Sequence, residues 1–398
     1  MPLPKFNYFL YHPDTPALPG NEIWERPLPM NRKNIQKAGN SFPTHGDYFF
    51  AARSFLEKNR FGNLLSALCQ CTEQSVSPED ICEINIFLEK HGEFYHPARV
   101  EVSVRPPQGM ISGDVFSFVL NAAVSDTGRD YIRNEYHFLE KLNTDFSGSF
   151  LPRVYARGAG LSEKSLEIPM FLGEWFDGYH EFHISRNEQG KMGICVWDTA
   201  KGNFFLPRDV TKDVYRQAGR ILTFYYNMET GEQIYPWHHA AGDFVIRFDK
   251  ARGIGLKLIT VRKYLSSFEN KADDIASLME RLLVFLCNLS MRIRLDRLDG
   301  IGDMAWADEI AVWGMLDGFF ESLASKPSPD FLPAPADLCF RAYLSSCTQA
   351  YLYELCEALV DTCNPQSPEV PVMKKYLKEH AAALYRAISL NISEISDE

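Results

Sequence analysis

Chemistry in this chain, if any, has to come from a few acidic side chains and a scatter of histidines. In WHHAAGDFVIRFD, residues 237–249, His238 and His239 stand shortly before Asp243. An imidazole beside a carboxylate suits general acid–base work, and the same pair of groups suits zinc, iron or manganese. Adjacent histidines on a strand point to opposite faces, so only one of the two faces a given site. HEFH adds His180 and His183, while HGEFYHPAR, residues 91–99, gathers His91, His96 and Arg99 around the single Gly92 as donors for an anion. Against these stands a plain structural role, because the spacings match no strong metal-ligand template. RLDRLDGIGD, with Asp296, Asp299 and Asp303, fails the EF-hand spacing and reads as a helix ending at Gly300 with local Arg–Asp pairs. No GxSxG, GxGxxG or CxxC occurs, which removes a serine-hydrolase elbow, a dinucleotide fingerprint and a zinc ribbon.

The elements that would position these residues are legible from periodicity. Residues 1 to about 45 are rich in proline and asparagine and read as an irregular arm, although Phe6, Tyr8, Phe9 and Leu10 are too apolar for a free tail. Tyr48, Phe49, Ala52, Phe55 and Leu56, then Leu64, Leu65 and Leu68, recur at helical spacing and predict two short helices. Residues 80–104 read as a hairpin turning at Gly92, FSFVLNAAVS (116–125) as a third strand, and YIRNEYHFLEKL (131–142) as an amphipathic helix. Two further strands follow in LPRVYARGAG and IPMFLGEWFDGYHEFHIS, then a hairpin in MGICVWDTAKGNFFLP. RDVTKDVYRQAGRILTFYYNM places Val214, Ala218, Ile221, Leu222 and Tyr225 on one helix face, with Asp209 or Thr211 as the cap. GDFVIRFDKARGIGLKLITVRKY is another hairpin, and everything beyond Asp273 reads as helix broken by two proline-rich links. The aromatic run from Phe204 to Trp237 is mostly core, with part of it available to line an apolar acceptor pocket.

Composition narrows the classes. The 398 residues are 45% apolar, enough for one large core or two ordinary ones, which excludes global disorder. A net charge of −11 argues against a broad phosphate-backbone footprint, so nucleic acid is not an expected partner. No run of about 18 apolar residues exists to span a membrane. The 9 cysteines are odd in number and scattered, and the proline-rich start shows no export signal, so a reducing, cytoplasmic location is expected.

In order and in short motifs, roughly residues 80–325 resemble the kinase-like fold in its aminoglycoside phosphotransferase and choline kinase branch. The resemblance implies an α+β, two-lobed protein-kinase-like fold, a small antiparallel β lobe plus a larger helical lobe, with ATP and magnesium as cofactors. In that family a glutamate on the helix after the third strand orients a strand lysine that holds phosphates. Glu135 in RNEYHFLEKL takes that position. MFLGEWFDG, with Glu174, Trp175 and Phe176, resembles the adenine-binding linker after the fifth strand, and GFFESL (318–323) the family's late helix. WHHAAGDFVIRFD resembles the catalytic HGDxxxxN loop, in which Asp243 would orient the acceptor hydroxyl.

This chain departs from the pattern at the charged positions. Asn121 stands at the lysine position, the magnesium-binding asparagine is missing after Asp243, and Thr260 stands where the magnesium aspartate belongs. Arg105, Lys257 or Arg262 would have to supply the lysine's charge, and Asp249 would be the metal ligand. Three functions follow. The first is an atypical kinase-like protein binding a nucleotide or small polar metabolite, possibly an ATP-dependent small-molecule phosphotransferase. The second is an inactive pseudokinase that binds or scaffolds a protein partner, and the third a metal-dependent enzyme using His238, His239 and Asp243. The expected division is residues 1–79 as arm and helices, 80–178 as a β-rich lobe and 179–398 as a mainly helical lobe.

Overall fold

The computed structural model describes residues 4–10, 15–29, 43–72, 75–92, 94–105, 114–237, 242–249 and 253–396. It is a mixed α+β protein whose chain divides into two compact units, residues 1–145 with 152–177, and residues 146–151 with 178–398.

The first unit is built on six strands: β1 (Lys5–Leu10), β2 (Ile81–Leu88), β3 (His96–Val104), β4 (Val115–Ala122), β5 (Val154–Leu161) and β6 (Glu167–Glu174), in the order β1-β2-β3-β4-β6-β5. Helices α1 (Glu22–Glu25) and α2 (His45–Thr72) lie between β1 and β2 in sequence, and α3 (Asp126–Asp145) between β4 and β5. Alternation sets the two faces. In β3, Ala98, Val100 and Val102 are buried while Pro97, Arg99, Glu101 and Ser103 are half-buried. The buried set joins Ile84 and Ile86 of β2, Leu120 of β4, Met170 and Leu172 of β6, and the rings of Phe49 and Phe55 on α2 in one core.

The N-terminal arm departs from expectation. The N-terminal stretch read as irregular contains β1, and β1 runs parallel to β2, so the sheet is not wholly antiparallel. Lys5 pairs with Glu83 and Leu10 with Leu88, and the Asn7 amide donates to Glu83 at 2.6 Å and Asn85 at 2.7 Å. A strand whose partner lies more than seventy residues away has no local turn signal to announce it. The two helices expected over 46–74 are present within His45–Thr72, separated at Lys58–Phe61, where Lys58 is extended and Asn59, Arg60 and Phe61 adopt positive φ.

The second unit opens with a three-stranded sheet of β7 (Phe182–Arg186), β8 (Met192–Val196) and β9 (Phe204–Phe205), followed by α4 (Arg208–Phe224). Next come β10 (Glu232–Ile234), β11 (Phe244–Asp249), β12 (Gly253–Leu258) and β13 (Tyr264–Ser266), with β10 paired to β13 and β11 to β12. Then follow α5 (Ile275–Arg292), the hairpin β14 (Leu295–Arg297) and β15 (Met304–Trp306), and helices α6 (Ile310–Ala324), α7 (Ala336–Leu344), α8 (Gln349–Asp361) and α9 (Glu369–Ser396). The expected inner face of α4 is buried, and α4 meets α6 backbone to backbone. A methyl on Gly318 would collide with the Arg216 carbonyl and one on Gly314 with that of Lys212.

Three local readings change. The single strand expected in IPMFLGEWFDGYHEFHIS, residues 168–185, is two strands, β6 and β7. Helix α4 begins after Pro207, with no side-chain cap from Asp209 or Thr211. RLDRLDGIGD is a hairpin and not a helix end, because the buried Asp296 carboxylate accepts the Ile184 amide at 2.6 Å and Gly300 turns the chain at φ +72°.

Candidate functional site

Glu135 lies on the buried face of α3 with Ile132, Leu139 and Leu142 and is 1% exposed. Burying a carboxylate demands polar partners. The Tyr95 hydroxyl donates to its Oε2. Ser125 accepts the Gly128 amide at 3.1 Å where the helix begins. Asn121, buried in β4, pairs in register with Pro97 of β3 and Phe171 of β6, and the Phe171 ring meets Tyr136 of α3 at 6.0 Å.

The linker candidates follow β6 directly. Glu174 accepts the Arg153 amide at 3.1 Å and its Nε at 3.3 Å, which makes it the partner of a neighbouring strand end. Trp175 and Phe176 are half-buried, and the Arg99 guanidinium lies 5.8 Å from the Trp175 ring and 4.4 Å from Phe87. Arg99 is itself held by Glu89 at 3.0 Å and by Glu101. The half-buried sheet face thus carries Glu83, Glu89 and Glu101 against Lys5 and Arg99. Arg105 is exposed at the end of β3, its amide bound to the Asp80 carbonyl at 2.7 Å. The structure brings Asn121, Glu135 and the linker into one unit and leaves Arg105 on the surface.

In the second unit Asp243 precedes β11 and is 1% exposed. Arg262, beyond β12, grips it with two nitrogens, Nη1 to Oδ2 at 2.7 Å and Nη2 to Oδ1 at 2.6 Å, and Nη1 also donates to the Pro236 carbonyl at 3.3 Å. This is the bidentate, charge-assisted geometry in which arginine binds carboxylate most firmly. The other cation considered as a phosphate ligand, Lys257, donates to the Ser149 carbonyl. Asp249 is exposed at the far end of β11 from Asp243, opposite Gly253, a strand length of about 20 Å away. Thr260 is buried just after β12. His238 and His239 lie outside the described residues.

His45, His91, His96 and His183 are buried or half-buried among neighbouring groups. His91 Nδ1 and His96 Nδ1 are 3.1 Å apart, and His45, whose Nδ1 meets the Arg26 carbonyl at 2.9 Å, presents its ring edge-on to His91 at 5.7 Å. Burial, reinforced by the neighbouring imidazoles, lowers His91 to about 4 and His96 to about 3. His183 is buried 3.7 Å from Asp296. Among the described residues no three His, Cys, Asp or Glu side chains come together to hold a metal ion. The 9 cysteines are free thiols, with Cys347 and Cys356 buried in the helical core. No helix among the described residues is long and apolar enough to cross a membrane.

Sequence reasoning missed Tyr95 as the partner of Glu135 and placed Arg262 with phosphates instead of with Asp243. A tyrosine forty residues from its carboxylate leaves no spacing signal. Arg262 carried one, since a cation just past the strand that returns alongside β11 has to end near Asp243.

No family model matches the chain, and no curated protein does. Among solved structures, "WaaP in complex with acyl carrier protein" is similar over 66% of this chain and 84% of that one, at 13% identity and a TM-score of 0.31. At that level the weight of any functional reading falls on this chain's own residues.

Proposed function

We propose that the protein is kinase-like, of the aminoglycoside/choline phosphotransferase layout, and works as a binding or scaffolding module without phosphotransfer. The layout supports the first half. Counting from β2, a helix with a buried glutamate follows the third strand, a linker with Glu174, Trp175 and Phe176 follows the fifth, and Asp243 opens the hairpin that comes after a long amphipathic helix.

One observation carries the second half: both oxygens of Asp243, whose side chain is 1% exposed, are bound by Arg262, whose own is 17% exposed. Phosphoryl transfer depends on charge placed to receive the acceptor hydroxyl, the metal and the phosphates. A carboxylate held on both oxygens by a guanidinium is neutralised and fixed by that pair, which makes it a poorer acceptor for a hydroxyl proton. Asn121 adds no charge at the lysine position and Thr260 none at the metal position. The ligand class left to this module is a protein surface or a small polar metabolite without a triphosphate.

Thermal-shift titration with ATP, ADP and GTP, each with and without magnesium, tests this. A ligand at 100 times its Kd stabilises by about 2.7 kcal/mol, a shift that is easily read. The expected result is no magnesium-dependent shift with any nucleotide. A magnesium-dependent ATP shift would restore the phosphotransferase reading.

A further inference from the structure

The close backbone approach of α4 and α6 at Gly314 and Gly318 fixes what stands at the end of α6. Lys326 lies two residues past that end, its own amide bound to the Leu323 carbonyl at 3.1 Å. Its side chain reaches the end of α4, where Nζ donates to the Phe224 carbonyl at 2.7 Å, one of the carbonyls a helix leaves without an intrahelical partner. The rest of its surroundings is aromatic. Nζ lies 5.7 Å from the centre of the Phe146 ring and 5.8 Å from that of Phe224, and Phe224 meets Phe150 edge-on at 5.4 Å. All of these residues belong to the second unit. Among the described residues no carboxylate pairs with Lys326, whereas Lys212 meets Asp317 and Lys374 meets Asp361, each at 2.8 Å. Burial lowers the Lys326 ammonium from its ordinary 10.5 to about 8, so an appreciable share is neutral amine near neutral pH. The residue is half-buried, which leaves it a side open to solvent.

We infer that Lys326 is a nucleophilic amine, a covalent site for aldehydes with an apolar body, flanked by the rings of Phe146 and Phe224. The neutral nitrogen attacks the carbonyl carbon to form a carbinolamine. Loss of water, which carries away the aldehyde oxygen and the two amine hydrogens, leaves a C=N bond. Once protonated, this imine keeps a cation beside the same two rings and an N–H for the Phe224 carbonyl. An amide made by acylation would be uncharged and would give up the ring contacts, which favours carbonyl over acyl electrophiles. The inference goes beyond the kinase-like reading and uses none of its residues.

Brief exposure of the full chain to benzaldehyde with cyanoborohydride, which reduces the imine to a stable secondary amine, tests it when peptide mass spectrometry reads each lysine separately. At pH 7.5 Lys326 is expected to gain the benzyl group at least about tenfold faster than Lys212 or Lys374, and the advantage is expected to vanish in urea, where burial no longer depresses the ammonium. The ratio of Lys326 to Lys212 labelling should also be larger with benzaldehyde than with glyoxylate, a small anionic aldehyde. A lysine that only caps α4 would keep its proton and react no faster than Lys212 and Lys374. That result, or an advantage that persists in urea, would overturn the nucleophile, and equal ratios for the two aldehydes would overturn the apolar specificity. No nucleotide enters the test, so its outcome is independent of the kinase-like reading.

Discussion

Glu135 and Asp243 are equally buried carboxylates, one in each unit, yet the chain satisfies them differently. Glu135 accepts a hydrogen bond from the Tyr95 hydroxyl, whereas Asp243 is met by both arms of Arg262. The first contact is a hydrogen bond from a neutral hydroxyl. The second is a matched ion pair, and displacing either member strands a charge in the core. The carboxylate that the proposed layout puts at the catalytic position is therefore the one held by an ion pair.

The largest effect expected from breaking that contrast is at Arg262. Arg262→Ala leaves Asp243 buried without its guanidinium and should destabilise the protein by roughly 3–5 kcal/mol, read from urea unfolding. Adding Asp243→Asn should recover much of that loss, since the stranded charge is gone. An additive double mutant would mean that the pair is not coupled. Tyr95→Phe should cost less, about 1–3 kcal/mol, as the price of one hydrogen bond to a buried acid. Equal losses at the two sites would erase the distinction drawn between them.

Acid should separate the units further. His91 and His96 are held near 4 and near 3 by burial, below the ordinary value of about 6.5. The unfolded chain then binds more protons than the folded one between those limits, so stability is full above about pH 6.5 and falls as pH drops toward 4. His380 in the second unit is likewise lowered, to about 3, by burial beside Arg294. The first unit has two such rings in contact and His45 lowered beside them, so its melting is expected to shift first on acidification. His91→Gln should flatten that dependence, and an unchanged melting profile between about pH 7 and pH 5 would show that the cluster is not proton-sensitive. The smallest effect belongs to the rim. Lys5 is 73% exposed in its pair with Glu83 at 3.5 Å, and Lys5→Ala should change stability by no more than about 1 kcal/mol.

What the sequence discloses depends on how far apart the interacting residues lie. Helix α4 and the alternating strands β2 and β3 announce themselves by period, because their inward residues are neighbours on one element. Strand β1 does not, because its partner β2 is distant in sequence, and RLDRLDGIGD misleads because Asp296 serves a strand more than a hundred residues earlier. The site divides in the same way. Glu135, Asp243 and the linker residues are found from their local motifs, while the contacts that define their chemistry, Tyr95 on one and Arg262 on the other, are tertiary. A motif thus identifies a carboxylate, but the fold decides whether it is available.

Availability of Asp243 is most directly tested by ADP formation from ATP and magnesium, measured side by side in the wild-type chain and in Asp243→Asn. The committed ion pair predicts the same background rate in both. Turnover in the wild type that disappears in Asp243→Asn would contradict it and make Asp243 a working catalytic carboxylate.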